Sequence, residues 1–257
     1  MAAKPKTAVQ KAKVDLPANV QAAMANDIAS FQNRLAAPTG NRIAVTQDRK
    51  FRAPGGDKFD RIAGVVVDFI AKKAWYPNPY DKDNIVPPHC FGLGFVAHSA
   101  MEPSENSPER QCETCATCPK NAFGSAENGK GKACKDSYVL ALLGPNADEE
   151  EGSPLMTLEI SATGIKPFEK YVRDLARETN KAPYAFVTEF SMDDTVDYAS
   201  VRCGFPTEAS PALIDMALSR REEAAALLST EPDVSGFEEK MASLKPQKKA
   251  PAKAARR

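Results

Sequence analysis

Four of the six cysteines fall within 23 positions, as Cys112-Glu-Thr-Cys115-Ala-Thr-Cys118-Pro119 and then Cys134, giving the spacing C-x2-C-x2-C-x15-C. The surrounding stretch, about 98–137, has no hydrophobic periodicity and must be ordered by something other than a core of its own. A C-x2-C turn presents two thiolates to one ion, and zinc takes four soft ligands at tetrahedral corners. The spacing therefore predicts a structural zinc site on Cys112, Cys115, Cys118 and Cys134. Gly124, Gly129 and Gly131 turn the loop back, and Lys120, Lys130, Lys132 and Lys135 offset its charge. A [4Fe-4S] cluster is the competing occupant, because ferredoxin-type ligation also begins C-x2-C-x2-C and ends Cys-Pro. In that pattern, however, the fourth cysteine follows after three residues. His89, Cys90 and His98 stand just upstream as alternative ligands. Cys203 alternates within a strand and reads as a core thiol.

Strands frame this loop. Asn41 to Ala53 alternates loosely around Ile43 and Val45, and a β-branched run from 60 to 76 is too long to stay flat, which predicts a bent or bulged strand. Cys90 to Val96 alternates Phe91, Leu93 and Phe95 with Gly92 and Gly94. Further strands are expected at Tyr138 to Leu143, Leu155 to Ile160, Tyr184 to Met192 and Val196 to Phe205. Helical spacing appears over 16–37 (Val20, Met24, Ile28, Phe31, Leu35) and over 164–178. Ser210-Pro211 supplies an N-cap and first turn for a helix reaching Leu228.

The fold class expected is mainly β with helices (α+β): an OB-like five-stranded barrel, its helix between the third and fourth strands, with an inserted zinc loop and flanking N- and C-terminal helices. In this layout residues 1–40 form a basic arm and amphipathic helix, and 41–205 the barrel with its insertion between the second and third strands. Residues 206–244 form a C-terminal helix and acidic segment, and 245–257 a disordered basic tail.

Charge sharpens the picture. The chain is formally neutral, 34 basic residues against 34 acidic. Yet residues 1–13 carry four lysines and 245–257 six basic residues, with no acid in either, whereas 145–244 hold 9 bases and 20 acids. A polyanion is thus compatible with the tails and with the half carrying the cysteines. No apolar run approaches the roughly 20 residues of a membrane span, and the N-terminus lacks a signal-peptide stretch, so a cytoplasmic location is expected.

Enzymatic signatures fail on inspection. Gly124-x4-Gly129-Lys130 begins like a phosphate loop, but Gly131 replaces the magnesium-binding hydroxyl and no strand precedes it. His98-Ser-Ala100 lacks the glutamate of a zinc deaminase. A closed four-cysteine site leaves no position for substrate. A binding protein is expected, not an enzyme.

Single strands of nucleic acid are held by aromatic faces that stack bases beside cations that follow phosphates. Lys72, Lys73, Trp75, Tyr76 and Tyr80 supply both within nine residues. Arg49, Lys50, Arg52, Lys130 and Lys132 add positive charge. Taken singly, any of these also reads as a core aromatic or a solvated surface cation.

Several segments together resemble a group of bacteriophage proteins, the zinc-containing single-stranded DNA-binding proteins with an OB fold. They are Phe51-Arg-Ala-Pro-Gly-Gly, Val65-Val-Val-Asp68-Phe, Trp75-Tyr76-x3-Tyr80-Asp81, Pro88-His-Cys90-Phe, Cys115-x2-Cys118-Pro-x-Asn121-Ala-Phe-Gly-Ser125 and Gly129-Lys-Gly-Lys-Ala-Cys134. The resemblance spans about 42–205. It implies largely sequence-independent binding of single-stranded DNA in phage replication or recombination, a structural zinc on the four clustered cysteines, and a groove built from the cations and aromatics named above. The basic C-terminus departs from the acidic partner-recruiting tail of many such proteins. Two other functions fit the residues: a zinc-ribbon adaptor whose acidic half binds a replication or transcription protein, and an iron-sulfur nucleic-acid enzyme.

Overall fold

The computed structural model describes residues 40–78, 85–150, 152–238 and 241. The chain divides after Gly40, and the unit from Asn41 onward is taken by itself. The expected helix at 16–37, both basic tails and Tyr80 lie outside the described residues.

The unit is α+β. Its strands are β1 (Arg42–Val45), β2 (Phe51–Arg52), β3 (Lys58–Phe59), β4 (Arg61–Trp75), β5 (Cys90–Gly94), β6 (Lys135–Leu143), β7 (Met156–Ser161), β8 (Phe186–Met192) and β9 (Val201–Glu208). Its helices are α1 (Ala162–Thr179), α2 (Pro211–Ser219) and α3 (Arg221–Leu228).

β4 organises the rest. Val65, Val66 and Val67 are buried on both faces, which is why this stretch reads as a continuous apolar run with no alternation. Pairing with β6 shifts between Val66 and Asp68. Val67 is the extra residue of a bulge, and the bend there matches the expectation of a strand too long to be flat. One edge of β4 pairs with β6 over Val65–Ala74; the other pairs with β8 over Arg61–Val65 and with β5 over Ala71–Trp75.

The sheet order is β3-β2-β1-β7-β6-β4-β8-β9, with β5 attached beside β4. This corrects the expected five-stranded count, since nine strands join one sheet among the described residues. It also moves the cysteine insertion, because β5 is a side strand of β4 and the whole excursion from 76 to 134 returns directly to β6. The sheet is open. The outer edge of β7 pairs in parallel with β1, Arg42 facing Thr157 and Ile43 facing Leu158, and among the described residues no ladder joins β9 back to this end. A side chain spans the gap. Arg49, at a left-handed φ of 58° in the β1–β2 turn, donates from Nη2 to the Asp193 carbonyl in the β8–β9 turn at 2.7 Å.

Each face of the sheet has its own core. Val66, Leu140, Leu142, Leu158, Ile160, Phe190 and Val201 pack on one face, where α1 inserts Phe168 edge-on against Phe69 at 5.1 Å. Val65, Val67, Ile70, Ala141 and Leu143 pack on the other, under Leu213, Ala217, Ala224 and Leu228 of α2 and α3. Ser210 caps α2 as expected, its Oγ accepting from the Leu213 amide at 3.0 Å. The single helix expected to Leu228 is two, because Arg220 leaves helical geometry and sends its guanidinium to the Ser153 carbonyl and to Glu223.

Gly92 on β5 lets the cysteine excursion lie against the sheet. A Cβ there would stand 2.5 Å from the Glu102 carbonyl oxygen, a backbone atom with no flexible side chain to yield. Gly92→Ala is expected to cost about 1–3 kcal/mol, as overpacking does, measured as a lowered denaturation midpoint at unchanged slope.

Candidate nucleic-acid interface and cysteine loop

Residues after the bulge alternate strictly, so β4 serves two places at once. Ala71, Lys73 and Trp75 point to the side of the cysteine loop, whereas Lys72, Ala74 and Tyr76 point to the other. There the face that is apolar beneath α2 and α3 runs on past those helices and is left uncovered.

That uncovered stretch is an open groove of about 710 Å³. β4 contributes Lys72 and Ala74, with Tyr76 just past its end, β6 contributes Lys135 and Ser137, β7 contributes Glu159 and Ser161, β1 contributes Arg42, and the β8–β9 turn contributes Tyr198. The register Lys72↔Ser137↔Ser161 places these side chains on one face. Tyr76 is 42% exposed and Tyr198 57%. Glu159 sits among the cations, 2.9 Å from Lys72 Nζ and 3.2 Å from Arg42 Nη2, and accepts from Ser137 Oγ at 2.9 Å. Burial pushes its carboxyl up, but Lys72, Arg42 and the Ser137 hydroxyl outweigh this and hold it below the usual carboxylate range. The groove is therefore a row of cations, Arg42, Lys72 and Lys135, around Glu159, with Asp136 also at its wall, paired with Lys73 and Lys132, and tyrosine rings flanking it.

The structure divides the residues expected to meet nucleic acid. Lys72 and Tyr76 line the groove. Lys73 does not: it is 1% exposed, bonded to Asp136 and, at 3.2 Å, to Asn121 Oδ1, because alternation turns it away from its neighbour. Trp75 is likewise buried against the cysteine loop, with Lys120 Nζ 4.6 Å from its ring centroid, so its face is not open for stacking. Arg49 is occupied in joining the two ends of the sheet. Lys50 pairs with Asp60 at 3.1 Å, and Lys132 with Asp136 at 2.9 Å. Arg52 and Lys130 are exposed and carry no ion pair among the described residues, but neither lines the groove. Arg42, Lys135 and Tyr198 were not expected. The sequence carries a signal for Tyr198, since an aromatic directly after the Asp-rich segment 193–197 has no core to enter.

The cysteine loop, held by two short 3-10 turns and scattered backbone bonds, packs on the opposite side. Its C-terminal end is drawn back to the C-x2-C segment where the Cys134 amide donates to the Lys120 carbonyl at 2.9 Å. Cys112, Cys115, Cys118 and Cys134 line one small cavity, together with Cys90, Lys73, Trp75 and Lys120. All five thiols are free. Burial pushes the Cys134 thiol up to about 12, with Lys73 opposing and Asp136 adding. Burial and the adjoining thiols, Cys118 first, raise Cys112 to about 12 as well.

The donor set suits a soft metal ion, and the enclosed space of about 10 Å³ is of the order that one water-sized sphere needs. A four-iron cube would require the thiols to move apart. Among the described residues no group of three or more Cys, His, Asp or Glu side chains is gathered closely enough to hold an ion as it stands, so gripping one requires the thiols to close in. Neither histidine lines the cavity, although the buried Nε2 of His89 has no hydrogen-bond partner among the described residues. His98 Nε2 lies 2.9 Å from the Ser137 carbonyl oxygen and His89 Nδ1 3.0 Å from Glu109. Cys203 packs beside Tyr171 and Phe186, away from the cavity, and burial raises its thiol to about 12.

Among the described residues no helix is long and apolar enough to cross a membrane. Compared with protein-family models, curated proteins and solved structures, the chain matches none.

Proposed function

We propose that this protein binds single-stranded DNA with little regard to sequence, in the groove between Tyr76 and Tyr198, and that zinc in the cysteine loop has a structural role. The observation that carries this reading is the uncovered sheet face, where two exposed tyrosines flank Arg42, Lys72 and Lys135. Tyrosine faces accept any base, and the cations follow a backbone common to all sequences.

Topology supports an OB-like core inside the larger sheet. The run β7-β6-β4-β8-β9, with a long bent strand in the middle and α1 between β7 and β8, follows the OB order 3-2-1-4-5. OB folds bind oligonucleotides on the face of strands 2 and 3 and with the loops joining strands 1–2 and 4–5. The groove here lies on β6 and β7, and Tyr198 stands in the β8–β9 turn. The edge of β7 that would close such a barrel in parallel carries β1 instead.

Anisotropy of a labelled oligo-dT titrated with the full chain tests this, at salt from 50 to 500 mM and against duplex DNA and oligo-rU. We expect single strands to be preferred over duplex by about tenfold or more, and log K to fall with log salt at a slope of at least about −2, three phosphates at roughly 0.7 each. Absence of binding at low salt, or equal affinity for duplex, would overturn the reading. A clear preference for oligo-rU would reassign it to RNA.

A further inference from the structure

We propose that Cys90, a strand residue outside the spaced cluster, is a metal-binding thiol, and that the gripping set is Cys90, Cys115, Cys118 and Cys134 with Cys112 outside it. This rests on the reading of the loop as a metal site. Five thiols line the cavity, whereas structural zinc takes four and is closed to solvent. One thiol is therefore surplus. Cys90, Cys115, Cys118 and Cys134 are all 6–8% exposed, and Cys112 alone is only half-buried.

Position on the sheet points the same way. Cys90 opens β5 directly across from Trp75. Cys134 immediately precedes β6, whose first residue, Lys135, faces Ala74. The two cysteines thus flank Trp75 on adjoining strands, and the three side chains pack as one cluster. Cys115 is brought to the same place by its amide, which donates to the Met101 carbonyl at 3.0 Å, and by Asn121 Nδ2, which donates to the Cys115 carbonyl at 2.8 Å. Cys118 follows through the short C-x2-C turn. A set drawn only from the loop would tie the loop to itself. With Cys90 included, the ion fastens the loop to β5, which is paired with the strand that carries Lys72 and leads into Tyr76.

Zinc content and affinity, by elemental analysis and competition with a chromophoric chelator, test this on the full chain. Cys112→Ser is expected to keep one zinc with affinity within about threefold of the parent. Cys90→Ser is expected to lose more than about 100-fold, beyond what removal of an outer-shell partner costs. Should Cys90→Ser not fold, alkylation mapping on the unmodified chain decides. Cys112 is expected to react with zinc in place, and Cys90, Cys115, Cys118 and Cys134 to become reactive together once a chelator is added. Loss of zinc from Cys112→Ser, or protection of Cys112 that the chelator releases, would overturn the assignment and leave the metal reading standing. A parent chain that binds no zinc would remove both.

Discussion

Replacing Tyr76 and Tyr198 together with alanine is expected to weaken binding of an oligo-dT by about 30-fold to about 20,000-fold. Each base–aromatic stack is worth roughly 1–3 kcal/mol, and the two rings, 42% and 57% exposed, stand on separate elements around the same groove. Neither is part of a core, so stability should move little, and a thermal melt of the double variant serves as the control. Trp75→Phe is the informative contrast. Its ring is buried beneath Lys120, so it should alter the melt and leave the salt slope of binding unchanged. Equal affinity of the tyrosine double variant and the parent would remove the groove from consideration.

Stripping the metal is expected to have the second large effect. The excursion from 95 to 134 contains no strand or α-helix among its residues, and its side chains offer few apolar contacts to replace a bound ion. Loss of about 4 kcal/mol corresponds to a fall in Tm of roughly 8–16 °C for a chain of this size. Amide hydrogen exchange should accelerate across 98–134 and not in β6 or β7. Zinc affinity should also fall with acidity. Burial raises the thiols of Cys115 and Cys134, the latter to about 12, so both are protonated without metal, binding must expel protons, and lowering the pH opposes it. Two protons displaced would make the affinity about a hundredfold weaker per pH unit. A Tm and exchange pattern indifferent to chelator would show that the loop needs no ion.

Much of this was legible in the chain. The β-branched run announced β4 and its bend, Ser210-Pro211 announced α2, and the cysteines do converge on one cavity. What failed has a common physical cause: the sequence shows composition along the strand but not phase across it. Lys72 and Lys73 look equivalent as neighbours, as do Trp75 and Tyr76, and only the register assigns one of each pair to the groove and its neighbour to the loop. Cys90 stood outside the spacing because β5 pairs with β4 at long range. Arg42 and Tyr198 sit 156 positions apart, and only the curl of the sheet makes them neighbours. The open sheet was hidden too, since β1 has nothing in its four residues to say that it would take the parallel edge of β7.

The bulge at Val67 acts as the phase-setter for everything downstream on β4. Because side chains repeat every two residues, deleting one residue between 67 and 71 would exchange the two tracks, sending Lys73 and Trp75 toward the groove and Lys72 and Tyr76 into the cysteine loop. Single substitutions here each damage one side, whereas a one-residue length change miswires both. This stretch of chain should therefore tolerate changes of composition far better than changes of length, and paired insertions and deletions that restore the phase should be accepted where lone ones are not.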